Sequence, residues 1–193
     1  MKLLTLNTHS LIEENYKQKL SDFVLAIIRE LPDVIALQEV NQRQDAPTVS
    51  QENLHGYTPC EAAQIRHGNH VLRVVEELRL ANVNYHWTWL PIKRGYAKYD
   101  EGVAIMSRTP IEATDTLKIS RTDHYNNWKT RRLLGVRLGH VWFYCVHLGW
   151  WDDPDEPLHS NGRKSMPTWQ IAEVFFSWET LTAPQKRAMK GTI

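Results

Sequence analysis

Cysteine is nearly absent: Cys60 and Cys145 are the whole complement of a 193-residue chain. Two cysteines so far apart build no disulfide framework and have no metal-ligand spacing. They fit a reducing compartment, so the cytoplasm is the expected location. Long hydrophobic runs are missing too, and no segment approaches the ~18 uninterrupted apolar residues of a membrane span. The start Met1-Lys2-Leu3-Leu4 is apolar, but Asn7, His9, Glu13 and Glu14 follow too soon for a secretion signal. An excess of either charge is lacking: 23 Lys and Arg against 22 Asp and Glu leave +1. That balance gives no strong electrostatic reason to expect nucleic acid or an anionic membrane as partner. What remains is ordinary for a soluble globular chain, 42% hydrophobic and 23% charged, at a length that suits one domain. Tryptophan is the one surplus: six of eight lie between Trp87 and Trp151. Such a bias suits a ring-stacking cleft, although core packing is the commoner use.

Asp33-Val34-Ile35-Ala36-Leu37-Gln38-Glu39-Val40 organises the rest. Its short apolar run after Pro32-Asp33 reads as a strand covered on both faces. Glu39 then arrives at the carboxyl end, where open α/β sheets hold their ligands and where a carboxylate is costly unless paired or metal-bound. Lys2 to Leu6 reads as an earlier strand that ends on Asn7. Between them Leu20, Phe23, Val24, Ile27 and Ile28 have helical spacing, stopped by Pro32. Strand, helix, strand is the unit of an α/β fold, and it would set Asn7 beside Glu39 if the two strands are neighbours.

Further along, Asn41 to Pro59 reads as a loop and His67 to Ala81 as a second helix. Asn84 to Leu90 alternates as a strand, and Pro91 to Tyr99 is a basic, aromatic loop with Lys93, Arg94, Tyr96 and Lys98. Asp100 to Arg108 is the next strand, and Asp115 to Ser120 another. Leu133 to Leu138, a Gly139-His140 turn and Val141 to Leu148 read as a hairpin. The hairpin ends on His147, followed by Gly149-Trp150-Trp151. Polar groups thus recur at strand ends, and the repetition is the signal.

Leu6-Asn7-Thr8-His9, the Asp33–Val40 strand, Glu101-Gly102-Val103-Ala104-Ile105-Met106-Ser107-Arg108 and Val146-His147-Leu148 resemble, in that order, the endonuclease/exonuclease/phosphatase superfamily. Tyr99-Asp100-Glu101-Gly102, Tyr85-His86-Trp87-Thr88-Trp89 and His147-Leu148-Gly149-Trp150-Trp151 are similar to the bacterial branch with maltose 6'-phosphate phosphatases. The resemblance spans residues 1–157 and implies a four-layer α/β sandwich, two mixed sheets flanked by helices, with the second half incomplete here. It implies that Asn7 and Glu39 hold magnesium or manganese, hard cations that suit oxygen ligands. His147 and Arg132 would bind and stabilise the phosphoryl group, with Arg131 the rival for the arginine's place. Tyr99, Trp150 and Trp151 would face the substrate. The implied activity is metal-dependent hydrolysis of a small sugar-phosphate monoester. The alternatives are a nuclease on the same fold, against which near-neutral charge weighs, and a non-catalytic binding module.

The resemblance stops at residue 157. The family's water-activating Asp-x-Asn and its later Asp-His pair have no counterpart in residues 158–193, which carry five basic and two acidic residues. Reading the last base of each codon with the first two of the next lets Ser177–Gln185 encode Leu-Gly-Asp-Phe-Asn-Ser-Pro-Ala. The glycine is forced by Trp178 and Glu179. Residues 158–193 are therefore expected to be an out-of-frame tail, and the chain as given to be inactive.

Overall fold

The computed structural model describes residues 1–149, Asp153 and the backbone of Glu173–Phe176. Two four-stranded sheets lie in it. The first runs β1 (Leu3–Asn7), β2 (Val34–Arg43), β4 (Tyr99–Ser107), β3 (His86–Gly95); the second runs β5 (Ala113–Lys118), β6 (Arg132–Leu138), β7 (Val141–Val146), β8 (Glu173–Phe176). Both sheets are mixed, since β1 is parallel to β2 and β7 parallel to β8 while the other pairs are antiparallel. Among the described residues two α-helices, α1 (Tyr16–Glu30) and α2 (His70–Leu80), flank the sheets of the α/β sandwich.

β2 is covered on both faces, as its unbroken apolar run predicts. Ile35, Leu37 and Val40 pack with Val24 and Ile27 of α1 and Val71, Val74 and Leu78 of α2. Val34 and Ala36 point the other way, into a second core with Leu134, Val136, Phe143 and Cys145 of the other sheet. Alternation along one strand thus builds two cores, one under the helices and one between the sheets. Among the described residues the helices cover the first sheet only, so three of the four expected layers are present.

Helix boundaries follow local chemistry. Leu31, in a left-handed conformation (φ 46°), closes α1 ahead of Pro32. α2 starts three residues later than its periodicity suggests, because Asn69 caps it by accepting from the backbone N–H groups of Val71 and Leu72. One reading needs correction. The segment after Leu90 is not a loop: β3 continues through Pro91 to Gly95. β3 is the edge strand of its sheet, where a missing N–H costs no ladder bond, and the register shifts between Pro91 and Lys93. β2 likewise runs to Arg43, into the stretch read as a loop.

Residues 158–193, read as an out-of-frame tail, lie outside the described residues except for β8. Its four residues pair in parallel with Phe143–Val146, a strand that the residue pattern does not announce.

Candidate active site

β1 and β2 are parallel neighbours, with Leu6 opposite Leu37 and Asn7 opposite Gln38, so the two strand ends meet. Asn7 Nδ2 donates to Glu39 Oε1 at 2.9 Å, and Asn7 Oδ1 accepts from the His9 backbone at 3.2 Å. Glu39 owes its direction to a β-bulge. Leu37 pairs with Ala104 and Val40 with Gly102, so Gln38 and Glu39 together span one partner residue. Glu39 adopts φ 54°, rare for a residue with a Cβ. The turned backbone is pinned by Thr8, whose hydroxyl donates to the carbonyls of Gln38 (2.8 Å) and Glu39 (3.2 Å).

A second bulge faces the first across β4. On β3 the register slips at Ile92, so that Lys93 falls opposite Glu101. Regular alternation after Ile92, which packs between the sheets, would have sent Lys93 to the helix side. Gly102 sits where the two distorted strands converge. A Cβ there would lie 2.1 Å from the Leu90 carbonyl oxygen, so only glycine fits. The result is a rung of polar side chains across three strands: Asn41, Glu101 and Lys93.

His147 follows β7 and closes the group from the second sheet. Its Nε2 lies 3.7 Å from Glu39 Oε1. A small cleft is lined by Ile92, Lys93, Glu101, Gly102, Thr130, Arg131 and His147. Burial, with the charges of Arg131 and Lys93, pushes the imidazole pKa down to about 3. His147 is therefore neutral at pH 7, with one ring nitrogen a donor and the other an acceptor. Lys93 Nζ lies 3.0 Å from Glu101 Oε1 and donates to the Trp128 carbonyl at 3.1 Å. Desolvation and the neighbouring Arg131 lower the lysine pKa, opposed by the carboxylates of Glu101 and Glu39.

Of the residues read from the sequence, Asn7, Glu39 and His147 come together. Arg132 does not join them. Its guanidinium forms a forked pair with Glu61 and donates to Thr116 Oγ1 at 3.2 Å. The arginine lining the cleft is Arg131, buried and steered by bonds from Nη1 to the carbonyls of Trp128 (2.6 Å) and Thr130 (3.0 Å). Tyr99 does not line the cleft either; it is buried at the start of β4 with Lys98 Nζ 5.0 Å above its ring. The exposed tyrosine near the site is Tyr96, whose hydroxyl is 3.0 Å from His9 Nε2. Its phenol is pushed up by burial and by the charges of Glu39 and Glu101. Trp150 and Trp151 lie outside the described residues. Of the remaining tryptophans in the cluster, Trp87 and Trp89 are core, with indole N–H groups bonded to the carbonyls of His55 and Val40. Trp128 is 53% exposed.

Sequence reading missed Glu101 and Lys93 as cleft residues. The available signal was Pro91: in an edge strand it marks a site where pairing can shift and a charged side chain can be turned inward.

Comparison with known proteins bears on the fold and the family. No curated protein matches the sequence. An endonuclease/exonuclease/phosphatase family protein from Leptotrichia buccalis C-1013-b superposes with a TM-score of 0.73 at 27% identity, covering 83% of this chain and 58% of that one. An endonuclease/exonuclease/phosphatase from Beutenbergia cavernae DSM 12333 shares the fold at TM-score 0.50 and 17% identity, over 78% of this chain and 38% of that one. A 3'-5' exonuclease from Neisseria meningitidis, at TM-score 0.46 and 18% identity over 80% and 45% of the two chains, overlaps too loosely to bear on activity. The chain therefore spans less than two thirds of the length of these structures. The sequence profile described as "Endonuclease/Exonuclease/phosphatase family" matches residues 4–188, from the first strand of one sheet to beyond the last strand of the other, and on that span the chain belongs to the endonuclease/exonuclease/phosphatase family.

Proposed function

We propose that the cleft is the metal- and phosphate-binding half of a phosphoric ester hydrolase site, and that the substrate is a small sugar-phosphate monoester of the maltose 6'-phosphate kind. The observation that carries this reading is the convergence of Asn7, Glu39 and His147 within 4 Å contacts at strand ends from both sheets, beside two buried cations.

The donor set fits a divalent ion such as Mg²⁺ or Mn²⁺. The Asn7 carboxamide and Glu39 carboxylate are hard oxygen ligands, and a bulge holds Glu39 in a strained backbone conformation that aims it at its neighbour. Among the described residues no group of three His, Cys, Asp or Glu could hold a metal. Asn7 and Glu39 would therefore bind the ion with substrate oxygens and waters in the other positions, a habit of Mg²⁺. Bound there, the ion supplies electrostatic stabilisation of a phosphoryl group.

Neutral His147 donates one N–H toward a non-bridging oxygen. Arg131, already oriented by two carbonyls, adds a guanidinium on the same side of the cleft. Both are fixed before substrate arrives and sit out of bulk water, the condition under which such donors stabilise developing charge most. The group that activates water is not assigned among the described residues. Residues 158–193 are proposed to be read out of frame, so the water-activating Asp-x-Asn belongs to the other frame.

The nucleotide sequence across codon 157 tests the frame. The repaired chain is then assayed for Mg²⁺-dependent phosphate release from maltose 6'-phosphate and for nicking of duplex DNA. Phosphate release that E39A abolishes is the expected result. DNA cleavage without phosphate release would move the reading to a nuclease, and undiminished E39A activity would remove Glu39 from the metal site.

A further inference from the structure

The polar rung Asn41–Glu101–Lys93 is energetically odd. The Lys93 and Glu101 side chains are only 11% and 8% exposed, and a buried ion pair gains little or nothing over an apolar pair of the same shape. Asn41 is fully buried, and neither atom of its carboxamide has a hydrogen-bond partner. Such an orphan is costly, because its lost hydration is not replaced. As scaffolding the rung is unfavourable; as a ligand site it makes sense. An ammonium has three donors. Glu101 and the Trp128 carbonyl take two of Lys93's, which leaves one for the cleft that Lys93 and Glu101 line together with His147.

We propose that Lys93 is a specificity-determining residue: its remaining N–H takes a non-bridging oxygen of the phosphate, and it selects terminal phosphomonoesters over phosphodiesters. This rests on the reading of the cleft as a phosphate site. A monoester carries about −1.5 to −2 charge at pH 7 because its second pKa is near 6, whereas a diester carries a single negative charge. A buried cation added to the metal and Arg131 is worth most to the ligand with the second charge. Glu101 holds the ammonium in place without occupying its third donor. Lys93 makes and breaks no covalent bond.

The test uses the 1–193 protein without metal and inorganic phosphate as the probe. Binding is followed by calorimetry between pH 5.5 and 8, where the phosphate dianion comes to dominate. The wild type is expected to bind about tenfold tighter at pH 8. K93M/E101Q, which removes both charges and leaves neither buried alone, should bind at least tenfold weaker at pH 8 and lose the pH preference. K93R should keep both within a few fold. A thermal melt checks that each variant folds. N41D gives a second measurement that keeps the ion pair, since a second carboxylate in the rung, opposite Glu101, should repel the anion and weaken binding tenfold or more. Wild-type affinity and pH preference in K93M/E101Q, or in N41D, would overturn the assignment of the rung while leaving the phosphate site standing. Failure of the wild type itself to bind phosphate would overturn the phosphate reading, and this proposal with it.

Discussion

Two carboxylate–cation pairs, one between distant segments and one within a hairpin, differ in kind. Arg132 meets Glu61 in a fork whose carboxylate is 42% exposed, and the guanidinium holds the Glu61 carboxyl below its usual range. Lys93 and Glu101 are buried opposite each other in adjacent strands. Arg132 and Glu61 keep part of their hydration, so their geometry needs no other cause. The inner pair gives up nearly all of its hydration, and what compensates lies in the cleft it lines. Burial, more than the presence of charge, separates the pair that joins two segments from the pair that meets a ligand.

Removing one inner partner should produce the largest effect. E101L leaves the Lys93 ammonium buried beside Arg131, and denaturant melts should show a loss of about 3–5 kcal/mol. K93M/E101L should recover most of it. A cost below about 1 kcal/mol for E101L would erase the distinction between the two pairs.

Two histidines with depressed pKa values, His70 and His147, offer a second way to sharpen the contrast. Burial, aided by Arg73, pushes the His70 pKa down to about 4, and burial pushes His147 to about 3. In the unfolded chain both titrate near 6.5. As pH falls below that value the unfolded state takes up protons that the folded state refuses. The share of stability carried by the two histidines should therefore be flat above about pH 6.5, fall as pH drops, and stop falling below the folded pKa values. The His70 share is on the order of 3 kcal/mol between pH 6.5 and 4. It should vanish in H70L, leaving the His147 share. A slope unchanged by H70L would mean that His70 exchanges protons with solvent in the folded protein.

The smallest effects separate two adjacent arginines. R131M should weaken phosphate binding about tenfold, equivalent to about 1.4 kcal/mol. R132M should leave phosphate binding unchanged and cost less than about 1 kcal/mol of stability, the usual worth of a pair that stays partly hydrated. Equal losses of phosphate affinity would put both guanidinium groups in the cleft.

Much of the frame was legible because periodicity and punctuation agree in it. α1 has an apolar stripe and a proline behind it, and β2 has a run too apolar for any place but between two layers. The parallel strand ends carrying Asn7 and Glu39 were readable as neighbours only conditionally, since one sequence shows no pairing; the register supplies that. Arg131 and Arg132 could not be told apart in the sequence. Arg131 precedes β6, where alternation sets no direction, and the choice is made by Glu61, 71 residues away from Arg132, which captures it. Lys93 was hidden by a register slip, invisible to any count of alternate residues. Tyr99 and Tyr96 show the same limit, three positions apart in one hairpin and on opposite sides of burial.

The paired bulges at Glu39 and Ile92 make the site unusually sensitive to the number of residues, as distinct from their kind. Each strand reaches Gly102 with one residue more than its partner needs, and the bulge absorbs the surplus, so the pairing beyond it is set by β4. Deleting Gln38 should flatten the first bulge, leave Val40 opposite Gly102 and take away the turned backbone that directs Glu39. Deleting Ile92 should close the second slip, leave Lys93 opposite Glu101 and cost an apolar contact between the sheets. The first single-codon deletion should accordingly abolish metal-dependent ligand binding, and the second should lower stability while the polar rung persists.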